Sequence, residues 1–154
     1  MNWLKNKFAM HSAVNGVWLS AGSHVAAEIA AAAGFDWALL DLEHGLGGEA
    51  DILHQIQVLS RTDCAVVVRV PISTSDAIKR ALDYGASGVM APMVDSAEQA
   101  AAFVRALRYP PAGIRGLTSS SRAAGYGHEF KTYFREANVS VTGIVQIETA
   151  QAVA

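Results

Sequence analysis

The sequence contains one cysteine, Cys64, so no internal disulfide can staple it and the fold must rest on its core. A lone thiol fits a reducing, cytoplasmic setting. Charge is sparse and not basic: 12 Lys and Arg against 14 Asp and Glu give a formal net charge of -2, and the cations form no stripe. Nucleic-acid binding therefore has no electrostatic footing. No apolar run reaches the roughly 20 residues that cross a bilayer, and the opening "MNWLKNKFAM" lacks the continuous apolar segment of a secretory leader. Neither a membrane nor an export route is expected. The lysines are Lys5, Lys7, Lys79 and Lys131, none within an expected strand, so no Schiff-base lysine of the strand-borne type is visible. A G-x-S-x-G elbow, a Walker loop, a G-x-G-x-x-G turn and a Cys/His zinc pattern are all missing. No long linker or low-complexity tract divides the chain.

What is present is apolar and rhythmic. The 154 residues are 51% hydrophobic and 17% charged, which reads as a single globular domain over 1–154. Five runs are nearly continuous in apolar residues: "VNGVWLS" (14–20), "DWALLDL" (36–42), "CAVVVRV" (64–70), "GVMAPMV" (88–94) and "VTGIVQIE" (141–148). Runs without alternation mark strands buried on both faces, as in parallel sheets.

Helical periodicity lies between them. In 24–33, Val25, Ile29 and Ala33 share a face, with Ser23 as cap and Gly34 as stop. In 49–60 the face is Ile52, Leu53, Ile56 and Leu59; in 75–84 it is Ile78, Ala81 and Leu82, with Gly85 as stop. In 96–108, Asp95 is placed to cap and Glu98 to reach back. Trp3, Leu4 and Phe8 have the spacing of a short amphipathic helix. The stretch "YPPAGIRGLTSSSRAAGYG" (109–127) reads as a long loop of the kind more often functional than idle, followed by a helix near 128–138.

Strand-helix alternation gives βαβ units and a parallel sheet. A doubly wound open sheet and a (β/α)₈ barrel both fit. The barrel typically needs about 250 residues, so five units would be part of one. The chain stops at Ala154 just as "ETAQAVA" begins a sixth helix, and the expectation is a truncated barrel.

Chemistry in βα folds gathers at the C-terminal ends of the strands. There the second run ends in Asp41, Glu43 and His44, the third carries Arg69, and the fifth ends in Gln146 and Glu148. Three strands agree at one end while their interiors stay apolar. Each residue alone has a plainer reading. Arg69 could be a structural ion pair, at roughly even odds with function. His44 could be a loop histidine, Glu148 a helix cap and Glu43 a solvent-facing side chain. Asp41, three residues from His44, improves the case for catalysis, because a carboxylate can fix the tautomer of an imidazole. His11, His24, His54 and His128 read as surface residues.

The blocks "GFDWALLDLEHG", "VVVRVP", "IKRALDYGASGVMAPMV", "RYPPAGIRG" and "VQIET" occur in this order. Together they closely resemble the HpcH/HpaI aldolase family, the metal-dependent pyruvate aldolases of the 4-hydroxy-2-oxoheptanedioate and 2-dehydro-3-deoxyglucarate aldolase type. The resemblance runs over residues 14 to 154. It implies a (β/α)₈ TIM barrel of which about the first five βα units are present, and assembly as a homo-oligomer, usually a hexamer. By motif, Glu148 matches a metal-ligand glutamate, Arg69 the arginine at the substrate's keto oxygen, and His44 with Asp41 an acid/base dyad. Gln146 matches a glutamine lining the substrate site, and Glu43 a supporting glutamate. The second acidic ligand of the family lies in a G-P-x-D-L segment, which residues 1–154 do not contain.

The implied reaction is reversible cleavage of a 4-hydroxy-2-oxo acid to pyruvate and an aldehyde, with Mg²⁺, Mn²⁺ or Co²⁺ as the oxygen-bound cofactor. Two alternatives belong to other classes: a CoA-ester lyase of the citrate lyase β-subunit type, and a non-catalytic assembly module.

Overall fold

The computed structural model describes residues 6, 9, 10 and 13–153. The expected helix at Trp3, Leu4 and Phe8 lies outside them, as does His11. Five strands form one parallel sheet: β1 (Gly16–Leu19), β2 (Trp37–Asp41), β3 (Ala65–Arg69), β4 (Gly88–Ala91) and β5 (Thr142–Val145). The spatial order is β1-β2-β3-β4-β5, the order of the chain. A doubly wound sheet reverses direction at a switch point. Here nothing reverses, which is the course of a barrel wall.

The helices confirm that choice. The sequence alternates with α1 (His24–Ala32), α2 (Glu49–Leu59), α3 (Ser75–Asp83) and α4 (Ala97–Leu107), then a 3₁₀ turn over Arg122–Gly127, α5 (Phe130–Ser140) and a short α6 (Ala150–Val153). One face of the sheet, with Ala38, Leu40, Val66, Val68, Val89 and Ala91, packs into a single core with buried residues of α1 to α4. The other face carries a smaller cluster of Leu39, Ala65, Val67 and Met90, flanked by Trp37 and Ile144, to which no helix contributes among the described residues. A sheet with helices outside and apolar side chains layered inside is a partial TIM-barrel wall.

The strands are shorter than the apolar runs, because each run continues past its last ladder bond into the loop that follows. Register aligns Leu39 with Val67, and Asp41 with Arg69; Arg69 in turn aligns with Met90, and Met90 with Ile144. Because side chains alternate faces along a strand, Asp41 and Arg69 fall on the inner face, above the layer of Leu39 and Val67.

Two local expectations need correction. The buried face of α1 is Ala27 and Ala30, while Val25 and Ile29 are 51% and 65% exposed. In a helix that is apolar nearly all round, the small side chains win the contact because they let the helix approach closely. At α4 the cap is Ser96, whose Oγ accepts from the Gln99 amide at 3.3 Å. Gln99 reaches back to accept from the Asp95 amide at 2.6 Å, while Glu98 reaches the Ser96 hydroxyl and not Asp95. The helix expected near 128–138 is present, over Phe130–Ser140.

The loop 109–127 is firmly built at its start. Arg115, 3% exposed, lies over the Tyr109 ring at 4.5 Å and donates to Asp83 at 2.7 Å and to the Tyr133 hydroxyl at 2.9 Å. "RYPPAGIRG" is therefore an anchor between α3 and α5. Among the described residues no helix is long and apolar enough to cross a membrane.

Candidate active site

The C-terminal end of β2 is the centre of the site. Asp41 is the last residue of the strand and 3% exposed. Its two oxygens accept from Arg69 Nε at 2.9 Å and Nη2 at 2.6 Å, in a two-pronged pair across the ladder. They also accept from Trp18 Nε1 at 3.1 Å and from the amides of Glu43 and His44 at 3.0 and 3.1 Å. Burial pushes the Asp41 carboxyl up, but the bonds from Arg69, Trp18 and the two amides outweigh it and hold it well below the usual carboxylate range.

The turn after Asp41 is tight enough to need glycine. A Cβ on Gly45 would meet the Asp41 carbonyl oxygen at 2.1 Å, so only Gly lets the chain fold back over the strand end. This explains the Gly of "DLEHG" and how two successive amides come to face one carboxylate.

Arg69 ends β3 and is 7% exposed. Besides Asp41, its Nη1 lies 2.8 Å from Glu43 Oε2, and its guanidinium carbon sits 4.6 Å from the Trp18 ring centroid. Its pKa is raised, first by the Asp41 hydrogen bond and further by the fields of Asp41, Glu43 and Glu148, against the opposing effect of burial. Three of its five N–H groups are engaged, and two remain for another acceptor.

The structure corrects the expected dyad. Asp41 meets the backbone amide of His44, not its imidazole. The His44 side chain is 75% exposed, and its Nε2 lies 3.8 Å from Glu43 Oε1. The carboxylate near the ring is thus Glu43, which bridges His44 and Arg69. His24, His54 and His128 are exposed, as expected.

Glu148 lies beyond the end of β5. Its Oε1 accepts from the Met93 amide at 2.7 Å, and Oε2 has a 3.5 Å contact from Gln146 Nε2. Met93 adopts a left-handed backbone, φ 52°, uncommon for a residue with a side chain, and that conformation presents the amide to Glu148. Gln146 Oε1 is buried without a hydrogen-bond partner. Among the described residues no group of three or more His, Cys, Asp or Glu could hold a metal ion. The available donors, a carboxylate oxygen and an orphaned amide oxygen, are hard ligands of the type Mg²⁺ or Mn²⁺ takes. Glu148 fits as one ligand of such a site, not as a complete set.

Trp18 was not singled out from the sequence. In an apolar strand an aromatic reads as core. The available signal was its place one residue before the end of β1, level with Leu39 in the register and so on the inner face.

With this geometry in view, comparison with known proteins is direct. The family model for HpcH/HpaI aldolase/citrate lyase matches residues 15–154. The chain belongs to this family. It is 44% identical over 153 residues to a 4-hydroxy-2-oxovalerate aldolase of Rhodococcus jostii (strain RHA1), covering 99% of this chain and 58% of that protein. It is 46% identical over 143 residues to a 2-dehydro-3,6-dideoxy-6-sulfogluconate aldolase of Pseudomonas putida, covering 93% of this chain and 56% of the relative. A crystal structure of a family member from Burkholderia cenocepacia J2315 superposes with a TM-score of 0.93 at 37% identity, over 99% of this chain and 62% of the other. The chain thus spans little more than half the length of the curated relatives it matches.

Proposed function

We propose that the protein carrying this chain is a metal-dependent aldolase that reversibly cleaves a 4-hydroxy-2-oxo acid to pyruvate and an aldehyde. The observation that carries the reading is Arg69: a nearly buried guanidinium at the C-terminal end of β3, held by Asp41 and Glu43 through all three of its nitrogens and with two N–H groups left for another acceptor. Family membership and the names of the relatives support it.

In this reading the C2 keto oxygen accepts from the free N–H groups of Arg69. His44, directly or through water, takes the proton of the C4 hydroxyl. The O–H electrons form the aldehyde carbonyl, the C3–C4 bond breaks, and its electron pair forms the C2–C3 double bond of the pyruvate enolate. Negative charge arrives on the C2 oxygen, where a preorganised cation stabilises it most. Protonation at C3 completes pyruvate. A divalent ion bound with Glu148 as one ligand would supply Lewis-acid polarisation at the same oxygen. Gln146, with its orphaned Oε1, lines the substrate in this scheme. Assembly as a homo-oligomer belongs to the same reading, and the exposed Val25 and Ile29 of α1 are apolar surface that it can cover.

The test uses the complete protein. A chelator should abolish pyruvate release from a 4-hydroxy-2-oxo acid, and Mg²⁺, Mn²⁺ or Co²⁺ should restore it. Pyruvate methyl protons should exchange with deuterated water, and borohydride should trap no adduct. Arg69→Ala should lower cleavage by about 10²–10³, by analogy with loss of an oxyanion donor. A trapped lysine, or cleavage that survives chelation, rejects the mechanism.

A further inference from the structure

The loops that follow β3 and β4 flank an open cleft of about 400 Å³ at the C-terminal side of the sheet. That lies within the range of small-molecule sites, about 300–1,000 Å³. Two of its wall residues also hold the reaction centre. Glu43 is bonded to Arg69, and the Met93 amide is bonded to Glu148. The cavity is therefore one bonded neighbour away from each of the two groups that would grip the 2-oxo acid end of a substrate.

Its lining is specific in character. Pro71, Ile72, Pro92 and Val94 are apolar, and the two prolines fix the backbone where they stand. Ser73 and Gln99 add uncharged polar groups. Glu43 is the one charged lining residue, and no Lys, Arg or His lines the cavity among the described residues. Ile72 and Met93 are 61% and 55% exposed, so apolar surface stands open at the mouth for a ligand to cover.

We propose that this cavity is the subsite for the aldehyde-derived part of the substrate, and that it selects a short uncharged tail over one ending in a carboxylate. The inference rests on the placement of the keto oxygen at Arg69 given above. With C1 and C2 held between Arg69 and Glu148, the group on C4 must lie near both, and this cavity is separated from them only by Glu43 and Met93. An aliphatic or hydroxylated tail would cover Ile72 and Met93 and meet Ser73 or Gln99. A carboxylate would lose hydration beside Glu43, with no cation to replace the lost water.

The experiment compares two substrates on the complete protein with Mg²⁺ or Mn²⁺ present. 4-Hydroxy-2-oxopentanoate carries a methyl tail, and 4-hydroxy-2-oxoheptanedioate carries a carboxylate. Pyruvate release gives kcat/KM for each, and exchange of pyruvate methyl protons is followed in parallel. The methyl substrate should be favoured by about tenfold or more, the size of one pocket contact. Ile72→Lys, which brings an ammonium to the exposed rim, should move the ratio toward the dianion by about tenfold. Should that variant not fold, Ser73→Arg is read in the same way. Exchange with the dianion preferred, or a ratio that the added cation does not move, overturns the subsite and leaves the aldolase reading standing. Absence of both exchange and cleavage rejects that reading, and the subsite with it.

Discussion

Asp41 and Arg69 face each other across the β2–β3 ladder with 3% and 7% exposure, so neither charge has water to fall back on. Removing one partner of a buried ion pair costs about 3–5 kcal/mol. Asp41→Asn should fall near the low end, because Arg69 keeps Glu43 and Asn still offers one acceptor oxygen. Chemical denaturation at neutral pH checks this. A carboxylate that merely oriented an exposed histidine would leave stability almost unchanged. The sign with pH follows from the lowered Asp41 pKa. The unfolded chain takes up the proton first as pH falls, so the stability due to Asp41 is complete above the ordinary carboxylate range and drains away in acid. The gap between parent and variant should therefore narrow as pH is lowered, and a gap that widens would contradict the pairing. Asp41 and Arg69 were legible in the sequence, because ionisable groups at the end of apolar strands have few other uses. Their partners were not. A spacing of three residues between Asp41 and His44 looks like a dyad, and only the backbone of the turn shows that amides, not the ring, reach the carboxylate. Trp18 was hidden by its own chemistry, since an indole is at home in a core and its N–H partner lies 23 residues away.

Helices α2 and α3 followed from periodicity because each has one apolar face and one polar one: Ile52, Ile56 and Leu59, and Ile78, Ala81 and Leu82, are buried as expected. Helix α1 did not, because in "HVAAEIAAA" only His24 and Glu28 are polar and apolar residues cover the rest of the surface. Its contact with the core runs through Ala27, fully buried, whereas Val25 is half exposed. Enlarging a side chain in a filled contact costs about 1–3 kcal/mol, and a substitution at an exposed position changes stability by about 0.5 kcal/mol or less. Ala27→Leu should thus destabilise the complete protein by the larger amount and Val25→Ser by the smaller. Thermal denaturation of the two variants should rank them in that order, and the reverse order would mean that α1 packs by its large side chains after all. The same limit applied to "RYPPAGIRG". Its Gly and Pro content announced a loop, but nothing in the spacing announced that Arg115 would be buried against Tyr109, Tyr133 and Asp83.

Burial across the sheet is graded. Strands β3 and β4 are buried at every position and β2 at all but its first, whereas β1 and β5 are exposed or half-buried throughout. Among the described residues each outer strand pairs on one side only, and the inner face carries Leu39, Val67 and Met90 without a covering helix. Trp18, at the outer edge of that face, is 46% exposed. Unpaired strand edges and an uncovered apolar face are the features that drive association of sheets. A polypeptide of residues 1–154, expressed by itself, should therefore self-associate and bind a hydrophobic dye. It should also fail as an aldolase, because Arg69 would be in place while no group of three or more His, Cys, Asp or Glu among the described residues could hold a metal ion. Light scattering, dye binding and pyruvate release on this segment make the check. A monodisperse monomer that unfolds cooperatively and turns over with metal would show that five strands suffice, and that the open face tolerates water far better than its composition implies.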